Sequence, residues 1–176
     1  MGLVHIYCGD GKGKTSAAIG LAVRAAGCGK RVVIARFLKT DDSGEVESLK
    51  KIPEITLIPC RKTFGFVRSM DEKTKKECAE YNRKLFHEAV ELAKNADLAV
   101  FDEIMAAVNY GMVPEKDVLD FLKERPKKGK PDGLEVVFTG RNPSEALIEA
   151  ADYVSEICKR KHPFDKGIMA RRGVEY

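Results

Sequence analysis

Residues 3–15, LVHIYCGDGKGKT, constrain this chain more than any other stretch. The apolar run Leu3 to Tyr7 reads as a buried strand, broken at Cys8 by a loop holding Gly9, Gly11 and Gly13. The loop passes through Lys14 and Thr15 into an alanine-rich segment, SAAIGLAVRAAG, that reads as a helix. Strand, glycine loop, Lys-Thr and helix, in that order, are the context of a phosphate-binding loop. Glycines let backbone N–H groups converge on an anion with no Cβ in the way. The helix start adds unpaired donors and partial positive charge. Lys14 adds a mobile full charge, and Thr15 a hydroxyl for Mg²⁺. A purely structural turn has no use for Lys12 and Lys14 set among glycines, so nucleoside triphosphate binding is the functional reading. The spacing departs from G-x-x-x-x-G-K-[ST]. Counting back from Gly13, the first glycine falls where this chain has Cys8, and starting from Gly9 leaves the loop one residue short. That shortening points to a cradle holding its polyphosphate differently from a standard ATPase.

Downstream, apolar runs alternate with amphipathic stretches. Strands are expected at Arg31–Leu38, Glu54–Cys60, Asp97–Phe101, Leu134–Thr139 and Tyr153–Cys158. Helices are expected at Thr15–Ala26, within DDSGEVESLKKI, from Ser69 to about Ala96, at IMAAVNYG, from Pro114 to Glu124 and after Asn142. The first helix is nearly all apolar or small, which predicts burial. Ser69 and Glu72 have capping-box spacing, as do Asn142 and Glu145 around Pro143. On the long helix, Cys78, Tyr81, Leu85, Phe86, Ala89, Leu92 and Ala93 keep the helical period, leaving His87 at the surface. The alternation predicts an α/β fold: three layers around a mostly parallel sheet of about six strands. PKKGKPDG, residues 126–133, reads as a connector, and no repeat or domain linker is visible. A chain of 176 residues suits a single domain spanning 1–176.

Composition narrows the partners. Net charge of +4 suits an anionic ligand but is too mild to imply nucleic acid. No apolar run approaches the roughly 20 residues of a membrane span. The five cysteines have spacings that suit neither zinc nor a disulfide framework, so reduced thiols and a cytoplasmic location are expected.

Further constellations fall at expected strand ends. In AVFDE, Asp102 and Glu103 sit where a phosphate-loop protein places the partner of Mg²⁺, directly or through water. Glu103 can instead position a reacting group. In TGRN, Thr139 and Arg141 follow the fifth strand, and an arginine there can bind phosphate bidentately. Lys39 is a similar candidate after the second strand.

The opening VHIYCGDGKGKTSAAIGLAVRAAGCGKRVVIARFLK resembles that of the ATP:corrinoid adenosyltransferases. FGFVRSMD, LAVFDEI, ERP, VVFTGRNPSEALIEAADYVSEI, KHPFDKGI and the closing GVEY extend the likeness over nearly the whole chain, and the shortened loop is its most specific element. The resemblance implies a RecA-like P-loop domain, usually a homodimer. It implies transfer of the 5′-deoxyadenosyl group of ATP to the Co(I) centre of a reduced corrinoid, with triphosphate leaving and a donor such as a flavoprotein supplying the electron. Gly9, Asp10, Gly11, Lys12, Gly13, Lys14, Thr15 and Ser16 would then hold ATP together with Arg24 and Arg141. Lys12, Lys14 and Arg141 would carry catalysis, and Thr15 and Glu103 would bind Mg²⁺. The corrinoid would meet Phe64, Phe66 and Arg68, where Arg68 replaces a tryptophan of typical members. Asp10 and Arg36 stand where Asn and Gln are commoner. The tail 159–176 would complete the site. The competing reading is a RecA-like NTP-hydrolysing or nucleic-acid-binding module, supported by KKGK at 127–130 and KRK at 159–161. A nucleotide kinase would need an arginine-rich lid, which is not evident.

Overall fold

A computed structural model describes residues 2–125 and 133–176. The KKGK run and most of the expected connector therefore lie outside the described residues. Among the described residues the sheet has six strands: β1 (Val4–Cys8), β2 (Val32–Arg36), β3 (Ile55–Leu57), β4 (Leu98–Asp102), β5 (Glu135–Thr139) and β6 (Tyr153–Glu156), in the spatial order β3-β2-β4-β5-β1-β6. Every pairing is parallel. β2 and β4 are buried along their whole length, as continuous apolar runs in a doubly covered sheet require. β1 alternates, and edge strand β6 is exposed throughout.

The helices are α1 (Lys14–Gly27), α2 (Gly44–Leu49), α3 (Glu72–Ala93), α4 (Ile104–Asn109), α5 (Glu115–Glu124) and α6 (Glu145–Glu149). Ala18, Ala22 and Ala26 of α1 pack with Leu49 of α2 on one sheet face. The other face carries the larger core, including Leu85 and Phe86 of α3, Met105 of α4, Phe121 of α5 and Leu147 of α6. Because all strands run the same way, the C-terminal ends of β1, β2, β4 and β5 share one rim, where ligands collect in open α/β sheets.

Local expectations needed correction. α1 buries only the stripe from Lys14 through Ala26, and Val23 is exposed, because only one layer covers it. The cap of α3 is Asp71, whose carboxylate accepts from Thr74 N at 2.7 Å, rather than Ser69, which ends a 3₁₀ turn over Val67–Ser69. Ser144, not Asn142, caps α6, accepting from Leu147 N. Leu92 is partly exposed, while Asn82 takes a buried place, donating to Cys78 O at 2.8 Å.

Candidate active site

The glycine loop joins β1 to α1 and rests on the chain just beyond β6. Gly11 N donates to Ile157 O at 2.7 Å, so this amide is already spent on the scaffold. Gly9 has φ +100°, and a Cβ there would lie 2.5 Å from Ile157 O. Asp10 turns away from the loop and accepts from Lys159 N at 2.9 Å. That bond holds its carboxyl below the usual range. The fixed negative charge is thus engaged by backbone.

Lys14 is buried and folds back over the loop, donating to Gly11 O at 2.8 Å. Burial and then the neighbouring Arg141 lower its pKa, against the pull of Glu103 and Asp10. Arg141 itself is exposed and reaches Asp10 O at 3.5 Å. Its turn is pinned by Asn109, which donates to Arg141 O at 3.0 Å and Asn142 O at 3.2 Å. Within that turn Gly140 has φ +144°, and a Cβ would lie 2.5 Å from Met105 Cβ. Lys12, on the exposed side of the loop, pairs with Glu175 at 3.0 Å.

A compact network sits where β4 and β5 end. Asp102 is wholly buried. Its Oδ1 accepts from Thr15 at 2.9 Å and from Thr139 at 2.6 Å, and its Oδ2 pairs with Lys39 Nζ at 2.5 Å. Lys39 also donates to Thr15 Oγ1 at 2.9 Å. The residue in contact with Thr15 is therefore Asp102. Its neighbour Glu103, in a left-handed conformation with φ +62°, lies close enough to influence Lys14. No group of three or more His, Cys, Asp or Glu forms a metal cluster among the described residues. Thr15 and Asp102 do offer a hydroxyl and a carboxylate, hard oxygens of the kind Mg²⁺ takes, and a cationic nitrogen already rests against both. The donor set fits that ion, with phosphate and water left to complete the shell.

From this network a cavity of about 960 Å³ opens. Thr15, Ser16 and Lys39 lie along one part of its wall, and Lys62, Phe64 and Phe66 along another. Gly173–Tyr176 line it too. Phe64 packs against Tyr81 with ring centroids 5.6 Å apart, and Lys62 Nζ lies 4.8 Å from its ring centre. Phe66 is 88% exposed. Arg68 sits on the following 3₁₀ turn, outside the cavity lining. Arg24 remains apart: nine residues beyond Thr15 on α1, it lies about 14 Å further along by helical rise.

Three residues here, Arg36, Lys39 and Asp102, were singled out by sequence only weakly or for another reason. Arg36 is fully buried at the end of β2, donates to Thr40 O at 2.9 Å, pairs with Asp41, and leaves its Nε without a hydrogen-bond partner among the described residues. Beside it, burial pushes the Cys60 thiol up to about 11. The signal for Lys39 was its place just past an apolar strand; that for Asp102, its place as the last residue of one.

A family model described as ATP:corrinoid adenosyltransferase BtuR/CobO/CobP matches residues 1–176. A corrinoid adenosyltransferase of Escherichia coli K12 is 33% identical over 178 residues, covering 99% of this chain and 86% of the relative. Corrinoid adenosyltransferase CobA of Salmonella typhimurium LT2 is 32% identical over 181 residues, with the same 99% and 86% coverage. Among solved structures, the KaiC-like protein PH0186 of Pyrococcus horikoshii OT3 superposes with a TM-score of 0.52 at 17% identity, over 90% of this chain and 73% of its own. That likeness concerns the fold, which is RecA-like.

Proposed function

The chain belongs to the ATP:corrinoid adenosyltransferases, ATP-dependent alkyl transferases, and on that premise we propose that it moves the 5′-deoxyadenosyl group of ATP onto the Co(I) centre of a reduced corrinoid, releasing triphosphate. One observation carries this reading: a single cavity is lined both by Thr15 and Ser16 of the phosphate loop and by the aromatic residues Phe64 and Phe66. A hydrolase needs a water at the terminal phosphate. An alkyl transfer needs room for a bulky nucleophile beside the nucleotide, and that room is here.

The residues then divide the work. Gly9, Asp10, Gly11 and Gly13 shape the loop, with Asp10 and Gly11 fastening it to the segment after β6. Lys12, Lys14 and Arg141 offset the charge that grows on the departing triphosphate. Ser16 stands with Thr15 at the start of α1, where unpaired N–H groups favour an anion. Thr15 and Asp102 would hold Mg²⁺, with Glu103 reaching it through water. The ion would supply charge neutralisation at the phosphate oxygens. Arg24 takes no part in this cradle, and its place in the ATP set rests on the resemblance alone.

Phe64 and Phe66 would face the corrinoid, with Arg68 at the rim. No side chain need serve as nucleophile, because the substrate's cobalt does; the protein's contribution is position and electrostatics. The tail 159–176 would complete this single domain's site. The enzyme would work in the cytoplasm as a homodimer, with a flavoprotein as electron donor. No described helix is long and apolar enough to cross a membrane.

The test is incubation with ATP, Mg²⁺ and chemically reduced cobalamin. An adenosylated corrinoid in the visible spectrum, with triphosphate as coproduct, is the expected result. Release of ADP and phosphate without a spectral change would overturn the reading.

A further inference from the structure

We propose that Lys39 is a resident cation, seated where a divalent metal ion enters, and that metal binding drives its ammonium into the cavity. The inference rests on the reading that Thr15 and Asp102 hold the ion. Three separate segments meet here: the start of α1 brings Thr15, the end of β4 brings Asp102, and the turn after β2 brings Lys39. Leu38, immediately before Lys39, has φ +55°, an uncommon conformation for a branched residue. The chain accepts that corner, and the ammonium comes to rest on both oxygens at 2.5 and 2.9 Å.

The hydrogen-bond polarity is that of a metal site. The Thr15 hydroxyl gives its proton to Asp102 Oδ1 and accepts from Lys39 with a lone pair. Thr139 donates to the same Oδ1, leaving Oδ2 for the cation. A divalent ion replacing the ammonium would find the lone pair and the carboxylate oxygen already aimed at it, with the Thr15 proton where it needs to be. The buried carboxylate meanwhile never lacks a counter-charge, which its full burial would make costly.

Both cations cannot occupy the place together. Like charges a few ångströms apart repel, and the two cations would compete for the same oxygens. Lys39 has an exit: its side chain is 27% exposed and lines the cavity, where its long stem can swing away from Asp102. Metal entry therefore adds a positive charge to the space that receives the substrates.

The experiment compares Lys39→Met with the unaltered protein in the absence of nucleotide, using Mn²⁺ followed by electron paramagnetic resonance and thermal melts with and without Mg²⁺. Removing the competitor is expected to tighten Mn²⁺ binding by about tenfold or more. The variant's melting temperature should rise by about 5–10 °C at a hundredfold excess of metal over its Kd, while the unaltered protein's moves less. The double variant Lys39→Met, Asp102→Asn removes both charges; it should fold without metal and show no such rise. If Lys39→Met folds only when metal is supplied, and unfolds on chelation while the double variant does not, the exchange is likewise supported. Equal Mn²⁺ affinity in the variant and the unaltered protein, or a variant melt that ignores metal, would overturn it. Neither readout involves a corrinoid or turnover, so failure of the proposed reaction would leave this result standing, and the reverse.

Discussion

Behind one wall of the cavity, Asp102 and Thr139 are wholly buried and tied to the wall residues Thr15 and Lys39 at strand ends; on another wall, Phe66 stands almost fully in solvent. The second wall is held by exposed ion pairs: Arg61 with Glu88, Lys62 with Glu77, and Glu175 with both Lys12 and Arg171. Exposed pairs of this kind contribute little, because solvent and salt screen them. In the buried network, by contrast, loss of Lys39 would leave the Asp102 carboxylate without its counter-charge. The difference matches the two jobs assigned to the walls. Polyphosphate charge is best met by groups fixed in advance, as Thr15, Asp102 and Thr139 are, whereas a broad macrocycle has to be admitted and released.

Substitutions can break this contrast. The largest effect is expected from Asp102→Ala, which takes the counter-charge from Lys39 and the acceptor from the Thr15 and Thr139 hydroxyls: the loss of three bonds to a charged group costs about 3–5 kcal/mol of stability, read from the urea midpoint. A midpoint near that of the unaltered protein would mean the network is not structural. Next, Lys14→Ala should fold normally yet lose roughly 10²–10³ in kcat/KM for ATP, measured by the corrinoid spectrum. Gly9→Ala sharpens the same side, since its methyl would press on the Ile157 carbonyl at 2.5 Å; a cost of about 1–3 kcal/mol is expected in thermal or chemical denaturation.

Phe66→Ala tests the open wall. Stability should stay within about 0.5 kcal/mol, because the ring buries little in the free protein. KM for the corrinoid should rise about tenfold if the ring is covered on binding; an unchanged KM would remove Phe66 from the site. The smallest effect concerns pH. Bonds from Arg171 and Lys12 depress the Glu175 carboxyl from 4.5 to about 2. A depressed carboxylate stabilises the bound form above its ordinary pKa, and that contribution fades as pH falls through the depressed value. The tail should therefore stay docked at pH 5 and loosen below about 4.5 towards 2. Amide hydrogen exchange in residues 171–176 measures this, and exchange that is insensitive to pH beyond the intrinsic trend would show that Glu175 is not the anchor.

Much of this was legible in the chain. The strands were readable because β2 and β4 are continuous apolar runs, and the phosphate loop because lysines alternate with glycines between a strand and a helix. Asp102 and Glu103 were harder to separate. Adjacent carboxylates at a strand end differ only in where the backbone turns, and the left-handed conformation at Glu103 is not written in its identity. Capping failed for a related reason: Asp71 and Ser144 lie close to the residues expected, and local spacing alone does not rank rival oxygens. Burial of α1 was overestimated because alanine and glycine look the same facing a sheet or facing water. Asn82 was missed because a buried amide with a backbone partner leaves no periodic mark. The meeting of Lys39 with Asp102 depends on which strands neighbour one another, and that is a property of the whole sheet.

The contact between Gly140 and Met105 limits how this enzyme can change over time. Any side chain at position 140 would collide with the start of α4, so the turn presenting Arg141 cannot be re-aimed by altering its glycine alone. A lineage seeking a different arginine geometry would first have to shift the backbone at position 105, since the clash is with its Cβ, Cα and N, and Met105 is packed in the main core. Adjustments to the guanidinium's reach are therefore channelled into the outward-facing neighbours, leaving the hinge of the turn fixed.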